Sequence, residues 1–190
     1  MHNIYLLIAS VITVGSVIPY LIDIIKGKTK PNIVSWTTWT LLTAIATFAE
    51  FTAKEYTTAI FTTSTIIATS LVVALGLNYG YAKYSTFDFI CQIGALTGLV
   101  LWWFFDSPAL AVIASVTIDF IGALPTIRHS WLQPGEETWV TYALCSIAAT
   151  FAILALTSFN WISLSYQIYI ALINFLLFII ILVQSKKEVG

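Results

Sequence analysis

Asp119 is the residue of this chain with the clearest chemical potential, because it is an acid near the middle of a long apolar segment. An aspartate at the centre of a membrane-spanning helix costs roughly 2.5–3.5 kcal/mol on insertion scales, so its carboxyl group is expected to face a bundle interior or water. There it could bind a proton, a cation or a solute rich in hydrogen-bond donors. A structural hydrogen bond inside the bundle is the alternative.

Amide and hydroxyl side chains inside two other apolar segments are the next candidates for binding. Asn174 lies in the middle of the last segment, and Gln167 is seven residues earlier on the same helical face. The corresponding part of the third segment offers Ser70 or Thr69. These groups could bind a solute, or they could bond between helices, as polar side chains do in membrane proteins.

One apolar segment of the chain occurs twice, as an internal sequence repeat. Residues 35–49 read SWTTWTLLTAIATFA and residues 138–152 read TWVTYALCSIAATFA, with seven of 15 positions identical. The preceding segments also match, since VGSVIPYL contains Pro19 and FIGALPTI contains Pro125. Each proline leaves a carbonyl without its helical donor and predicts a kink that could act as a hinge, although a static bend is the alternative.

The repeat aligns small, polar and aromatic side chains in its two copies. Thr43 matches Ser146, and Trp39 matches Tyr142. Hydroxyl groups and aromatic faces suit a neutral polar solute, so these four residues are candidate binding residues. Close packing between helices is the other explanation for the small residues among such stripes.

The composition of the chain is that of an integral membrane protein. Hydrophobic residues make up 59%, charged residues 9%, and the mean hydropathy is +0.92, whereas a soluble domain carries roughly 25% charge. At about 20 residues per crossing, the 190 residues accommodate seven predicted membrane-spanning helices. Their predicted bounds are 4–25, 33–51, 57–77, 87–105, 108–127, 138–156 and 163–183.

The basic residues predict how these helices are oriented. Seven of the eight Lys and Arg residues fall on one side of the seven helices, and only Lys54 falls on the other. The positive-inside rule then places the N-terminus outside and the C-terminus in the cytoplasm. The compact size of the chain suggests a plasma (inner) membrane. Acidic residues at the helix ends, among them Asp88 and Glu137, are expected to be solvated at the interface.

The order of the repeats predicts two parallel bundles. Four crossings separate matching helices, so both copies run in the same direction across the membrane. The prediction is an all-α integral membrane fold with a first three-helix bundle at 1–82, a linker helix at 83–106 and a second three-helix bundle at 107–190.

This 3+1+3 plan, with its N-terminus outside and a proline near the cytoplasmic end of the first helix of each bundle, resembles the SWEET and PQ-loop transporter superfamily. The chain departs from the family motif, because Tyr20 and Thr126 stand where glutamine usually follows the proline. The resemblance implies a carrier of a small polar solute such as a sugar, an amino acid or a vitamin, working by alternating access through a midplane cavity. It also implies that Asn174 contacts the solute.

Other functional classes fit the sequence less well. A retinal protein needs a lysine inside the last helix, but Lys186 and Lys187 follow it. An intramembrane enzyme needs paired catalytic groups, and only Asp119 lies at depth, so the chain is expected not to be an enzyme. No cofactor and no nucleic-acid partner are expected, and an oligomer is left open. A receptor, sorting protein or structural protein of the same fold, without transport, is the alternative function.

Overall fold

The computed structural model describes residues 2–52, 54, 56–80, 84–102, 104, 108–156 and 161–189. This part of the chain is helical and contains no strand, which confirms the predicted all-helical fold. Its seven α-helices, with a short 3-10 turn at Pro134–Glu136 between α5 and α6, are α1 His2–Ile25, α2 Ile33–Thr52, α3 Tyr56–Tyr79, α4 Thr86–Trp102, α5 Pro108–Leu132, α6 Trp139–Leu154 and α7 Trp161–Val189.

Two helices, α5 and α7, run a full turn or more further than the sequence predicted. The predicted fifth helix ended at residue 127, but α5 continues through Arg128 and His129 to Leu132. Pro125 removes only the bond from its own nitrogen, so the helix resumes after it. The last predicted helix ended at residue 183, whereas α7 reaches Val189.

The surface of the described helices is apolar and much of the interior is polar. Helix α1 shows this arrangement, because its exposed apolar side chains recur every three or four residues while Ser16 and Tyr20 are fully buried. Large exposed apolar surfaces of this kind mark contact with lipid or with another protein. The exposed apolar residues of α1 include Leu7, Val11, Val14, Ile18, Ile22 and Ile25.

Three helical stretches are long and apolar enough to cross a membrane by themselves. The remaining apolar stretches among the described residues are shorter. These lengths are compatible with a membrane protein, and the crossing of all seven helices stays a prediction. The long stretches are Ile4–Ile25, Ala109–Leu132 and Leu164–Lys187, and the shorter ones are Ile33–Phe48, Thr65–Tyr79, Thr86–Val100 and Trp139–Leu154.

The helices pack in pairs that occur once in each half of the chain. Helix α3 packs against α1 and α2, and α7 packs in the same way against α5 and α6. Between the halves, α1 packs on α6 and α2 packs on α5, while α4 lies against α2 and α5.

The two contacts between the halves use matching residues. On one side, the Thr141 hydroxyl donates to the Ser16 carbonyl at 2.9 Å. On the other side, Gly122 faces Thr38 so closely that a Cβ atom on the glycine would lie 2.6 Å from the threonine Cγ2. In the sequence repeat, Ser16 matches Gly122 and Thr38 matches Thr141.

Candidate functional site

A cavity of about 180 Å³ lies between the two halves of the chain. This volume is below the roughly 300–1,000 Å³ of pockets for drug-sized ligands, so the cavity suits a small solute. Its polar and aromatic lining comes from α1, α2, α3, α5, α6 and α7. The polar and aromatic lining residues are Thr13, Ser16, Trp36, Trp39, Thr43, Thr65, Thr69, Asp119, Thr141, Tyr142, Cys145, Tyr166 and Asn174.

The cavity brings together five of the candidate binding residues. Asp119 from α5 and Asn174 from α7 face it, together with Trp39 and Thr43 from α2 and Tyr142 from α6. Trp39 and Tyr142 are matching positions of the repeat, so both copies contribute an aromatic ring to the same space.

The other three candidates lie elsewhere. The Ser146 hydroxyl donates to the Ala171 carbonyl at 2.9 Å, so it ties α6 to α7. Ser70 is exposed on α3, and its neighbour Thr69 faces the cavity instead. Gln167 is half-buried on α7 and is not among the lining residues.

Asp119 is held by aromatic side chains. It is 5% exposed, and its Oδ2 accepts a hydrogen bond from the Tyr169 hydroxyl at 2.6 Å. The Trp39 indole N–H interacts more weakly with the same carboxyl group. The Tyr166 ring packs 6.3 Å from the Tyr169 ring, measured between centroids. Sequence reasoning did not identify the two tyrosines, although their spacing of three residues places them on one helical face.

Three threonine hydroxyl groups of the cavity already use their protons. The hydroxyls of Thr13, Thr43 and Thr69 donate to the carbonyl four residues earlier in their own helices, at 2.8, 2.8 and 3.0 Å. The Asn174 amide donates in the same way at 2.9 Å. A hydroxyl that donates to its own helix can still accept, so these groups offer oxygen lone pairs to a solute.

One end of the cavity is closed by four side chains, Tyr20, Trp36, Glu137 and Tyr142, which we call the tyrosine–glutamate cluster. The hydroxyls of Tyr20 and Tyr142 both donate to Glu137 Oε2 at 2.9 Å, and the Trp36 indole donates to the Tyr20 oxygen at 3.1 Å. Trp36 and Tyr142 also line the cavity. The cluster therefore joins α1, α2 and α6 at the end of the cavity where α1 ends and α6 begins.

Glu137 is buried, so the expectation that it is solvated at the interface is wrong. It is 6% exposed, and its Oε1 has no hydrogen-bond partner among the described residues. Burial raises the pKa of Glu137 to about 8; the hydrogen bonds from Tyr20 and Tyr142 lower this pKa, and the Glu136 charge raises it. The carboxyl group is therefore largely protonated at neutral pH.

The loop between α1 and α2 is fastened to the start of α6 beside this cluster. The Thr138 hydroxyl donates to Asp23 Oδ2 at 3.0 Å, and the Thr29 and Thr138 hydroxyls share a hydrogen bond. Lys30 forms an ion pair with Glu136 and also donates its backbone N–H to the Glu136 carbonyl. These contacts hold the two halves together at this end.

Asp88 is also buried rather than solvated, because it caps α4. Its Oδ2 accepts hydrogen bonds from the Ser85 N–H and hydroxyl at 2.7 and 2.8 Å, and the Ser85 hydroxyl accepts from the Asp88 N–H. This reciprocal arrangement satisfies free N–H groups at the helix start. Among the described residues, no group of three or more His, Cys, Asp or Glu side chains could hold a metal ion.

The two prolines lie beside contacts between the halves. Pro19 directly precedes Tyr20 of the tyrosine–glutamate cluster. Pro125 directly precedes Thr126, whose backbone N–H donates to the Ser35 hydroxyl at 3.3 Å. A change of bend at either proline would therefore move a residue that joins the halves.

No protein-family model, curated protein or solved structure matches the chain. The resemblance to the SWEET and PQ-loop superfamily stays a prediction from the sequence.

Proposed function

We propose that the protein is a membrane transporter that moves a small polar solute, such as a sugar, an amino acid or a vitamin, by alternating access. The observation that carries this proposal is a cavity, with buried carboxyl, amide and hydroxyl groups in its wall, between two halves that repeat in sequence, since transporters with internal repeats bind solutes at the repeat interface. Asp119 and Asn174 are its proposed principal binding residues, and Asp119 could also bind a coupling proton or cation.

In this proposal the chain forms two parallel three-helix bundles, 1–82 and 107–190, joined by a linker helix at 83–106. The repeated helix pairs support this arrangement, because α3 packs on α1 and α2 just as α7 packs on α5 and α6. Membership of the SWEET and PQ-loop superfamily follows from the same plan and remains part of the proposal.

The proposed location is the plasma (inner) membrane, with the N-terminus outside and the C-terminus in the cytoplasm. The apolar surface of the described helices supports contact with lipid. The basic residues support the orientation, because the positive-inside rule places most of them on the cytoplasmic side. They include Lys30, Arg128, Lys186 and Lys187. The tyrosine–glutamate cluster would then close the cytoplasmic end of the cavity.

Alternating access requires the cluster to open, and the prolines are the proposed hinges. A bend at Pro19 would move Tyr20 away from Glu137, and a bend at Pro125 would move Thr126 away from Ser35. Pro19→Ala and Pro125→Ala should each slow turnover while leaving solute affinity nearly unchanged. Unchanged turnover in both variants would contradict the hinge proposal and leave the prolines as static bends.

The experiment for the function is uptake of labelled sugars, amino acids and vitamins into proteoliposomes. We expect saturable uptake of at least one solute, with loss in Asn174→Ala and retention in Ser146→Ala, because Asn174 faces the cavity and Ser146 bonds to α7. Saturable binding without flux would favour the alternative, a heptahelical receptor or sorting protein. Equal uptake by empty liposomes would contradict transport.

A further inference from the structure

The cavity has one acidic group that no basic side chain of the described residues pairs with. Asp119 is the single Asp, Glu, Lys, Arg or His among its described lining residues, and none of the ion pairs in the described part of the chain includes it. The Tyr169 hydroxyl donates to its carboxyl oxygen at 2.6 Å, a length typical of an O–H group that donates to an ionised carboxylate. The Trp39 indole N–H, which can only donate, also interacts with this carboxyl group.

The remaining polar groups of the cavity mostly accept hydrogen bonds. Thr13, Thr43 and Thr69 have committed their hydroxyl protons to their own helices, so they present oxygen lone pairs. One of the two Asn174 amide N–H groups donates to the Ile170 carbonyl, and the Asn174 Oδ1 accepts no hydrogen bond from the described residues. A solute that satisfies these groups must bring N–H or O–H donors.

Aromatic and aliphatic side chains supply the rest of the wall around this carboxyl group. Trp39 and Tyr166 line the cavity beside Asp119, and Trp36 and Tyr142 line it towards the tyrosine–glutamate cluster. The Trp36 and Trp39 rings lie 5.2 Å apart between centroids and nearly perpendicular to each other. Aromatic faces attract organic cations, most strongly where water is excluded.

We propose that the solute of this cavity is a small organic monocation whose ammonium group carries N–H donors. The ammonium group binds the Asp119 carboxylate and donates to the lone pairs of the threonine hydroxyls and Asn174. The carbon atoms of the solute pack on the Trp39 and Tyr166 rings. This assignment rests on the proposed function, because it takes the cavity to be the solute site.

The test is a binding measurement on the purified protein in detergent at neutral pH, by isothermal titration calorimetry. The probes are the ethanolammonium ion and ethylene glycol, which are similar in size and differ in charge. We expect the wild type to bind ethanolammonium at least about tenfold more tightly than ethylene glycol, a difference of about 1.4 kcal/mol. Asp119→Asn should remove this preference. Asp88→Asn, the same change at a buried aspartate outside the cavity, should keep it.

Equal affinities of the wild type for the two probes, or no binding of either probe, would overturn the proposal. A preference for ethanolammonium that survives in a folded Asp119→Asn variant would also overturn it. If that variant does not fold, the wild-type comparison decides. Binding does not require transport, so ethanolammonium binding without any flux into proteoliposomes would contradict the transporter and leave the cation site standing. Uptake of a neutral solute without ethanolammonium binding would support the transporter and contradict the cation site.

Discussion

Replacing Glu137 by glutamine should change how the stability of the protein depends on pH. The pKa of this carboxyl group is about 8 in the folded protein and 4.5 ordinarily, and burial is the main cause of the difference. Well below pH 4.5 the group is neutral in both states, so folding is not penalised. As the pH rises, the unfolded chain loses this proton first, and the free energy of unfolding falls until about pH 8.

The size of this effect follows from the two pKa values. Each pKa unit corresponds to about 1.4 kcal/mol, so the distance from 4.5 to about 8 gives an upper limit of about 5 kcal/mol. Glutamine keeps an oxygen that can accept from Tyr20 and Tyr142, and it does not ionise. Glu137→Gln should therefore be clearly more stable than the wild type at pH 8 and nearly equal to it at pH 4.5.

The assay is thermal unfolding of the purified protein in detergent across this pH range. Subtracting the wild-type curve from the variant curve removes the contribution of groups that titrate in both proteins. Glu136→Gln is the matched control, because Glu136 is more exposed and pairs with Lys30; this variant should keep most of the wild-type slope. A wild type equally stable at both ends of the range, or a Glu137→Gln variant with the full wild-type slope, would refute the reasoning.

Two further predictions test the packing and the lining of the cavity. Gly122→Ala should lower stability by about 1–3 kcal/mol, because its Cβ would lie 2.6 Å from Thr38 Cγ2. Gly15→Ala, where a Cβ meets no atom within 4 Å, should be neutral or stabilising by up to about 1 kcal/mol, and equal melting temperatures of the two variants would contradict the close contact. Thr69→Val should weaken ethanolammonium binding by about 1 kcal/mol in calorimetry, whereas Ser70→Ala should not; the opposite pattern would place the other residue in the cavity.

The helical fold was predictable because the composition and the hydrophobic runs leave few alternatives. The cost of exposing a carboxylate to lipid predicted that the Asp119 side chain faces the interior, and its position in the cavity agrees with that argument. The repeat in the sequence likewise predicted that Trp39 and Tyr142 occupy related places, and both line the cavity.

Side-chain environments were less predictable, because they depend on the rotation of each helix about its own axis. Thr43 and Ser146 match in the repeat, yet Thr43 faces the cavity while Ser146 bonds to α7. Glu137 lies at the end of an apolar segment of the sequence, where interfacial solvation is the default expectation for a carboxylate. Its burial depends on Tyr20, which is 117 positions away in the chain and is brought near by the packing of α1 on α6.

The two contacts between the halves have diverged in their chemistry. Where α1 meets α6, a buried carboxyl group and two tyrosine hydroxyls fill the contact; where α2 meets α5, Val34 stands at the position that matches Glu137, and Gly122 lies directly against Thr38. A symmetric dimer of identical copies would have to carry each substitution at both interfaces. Because the copies are fused into one chain, each interface carries its own residues, so a buried titratable carboxyl group lies at one contact and a close glycine–threonine approach lies at the other.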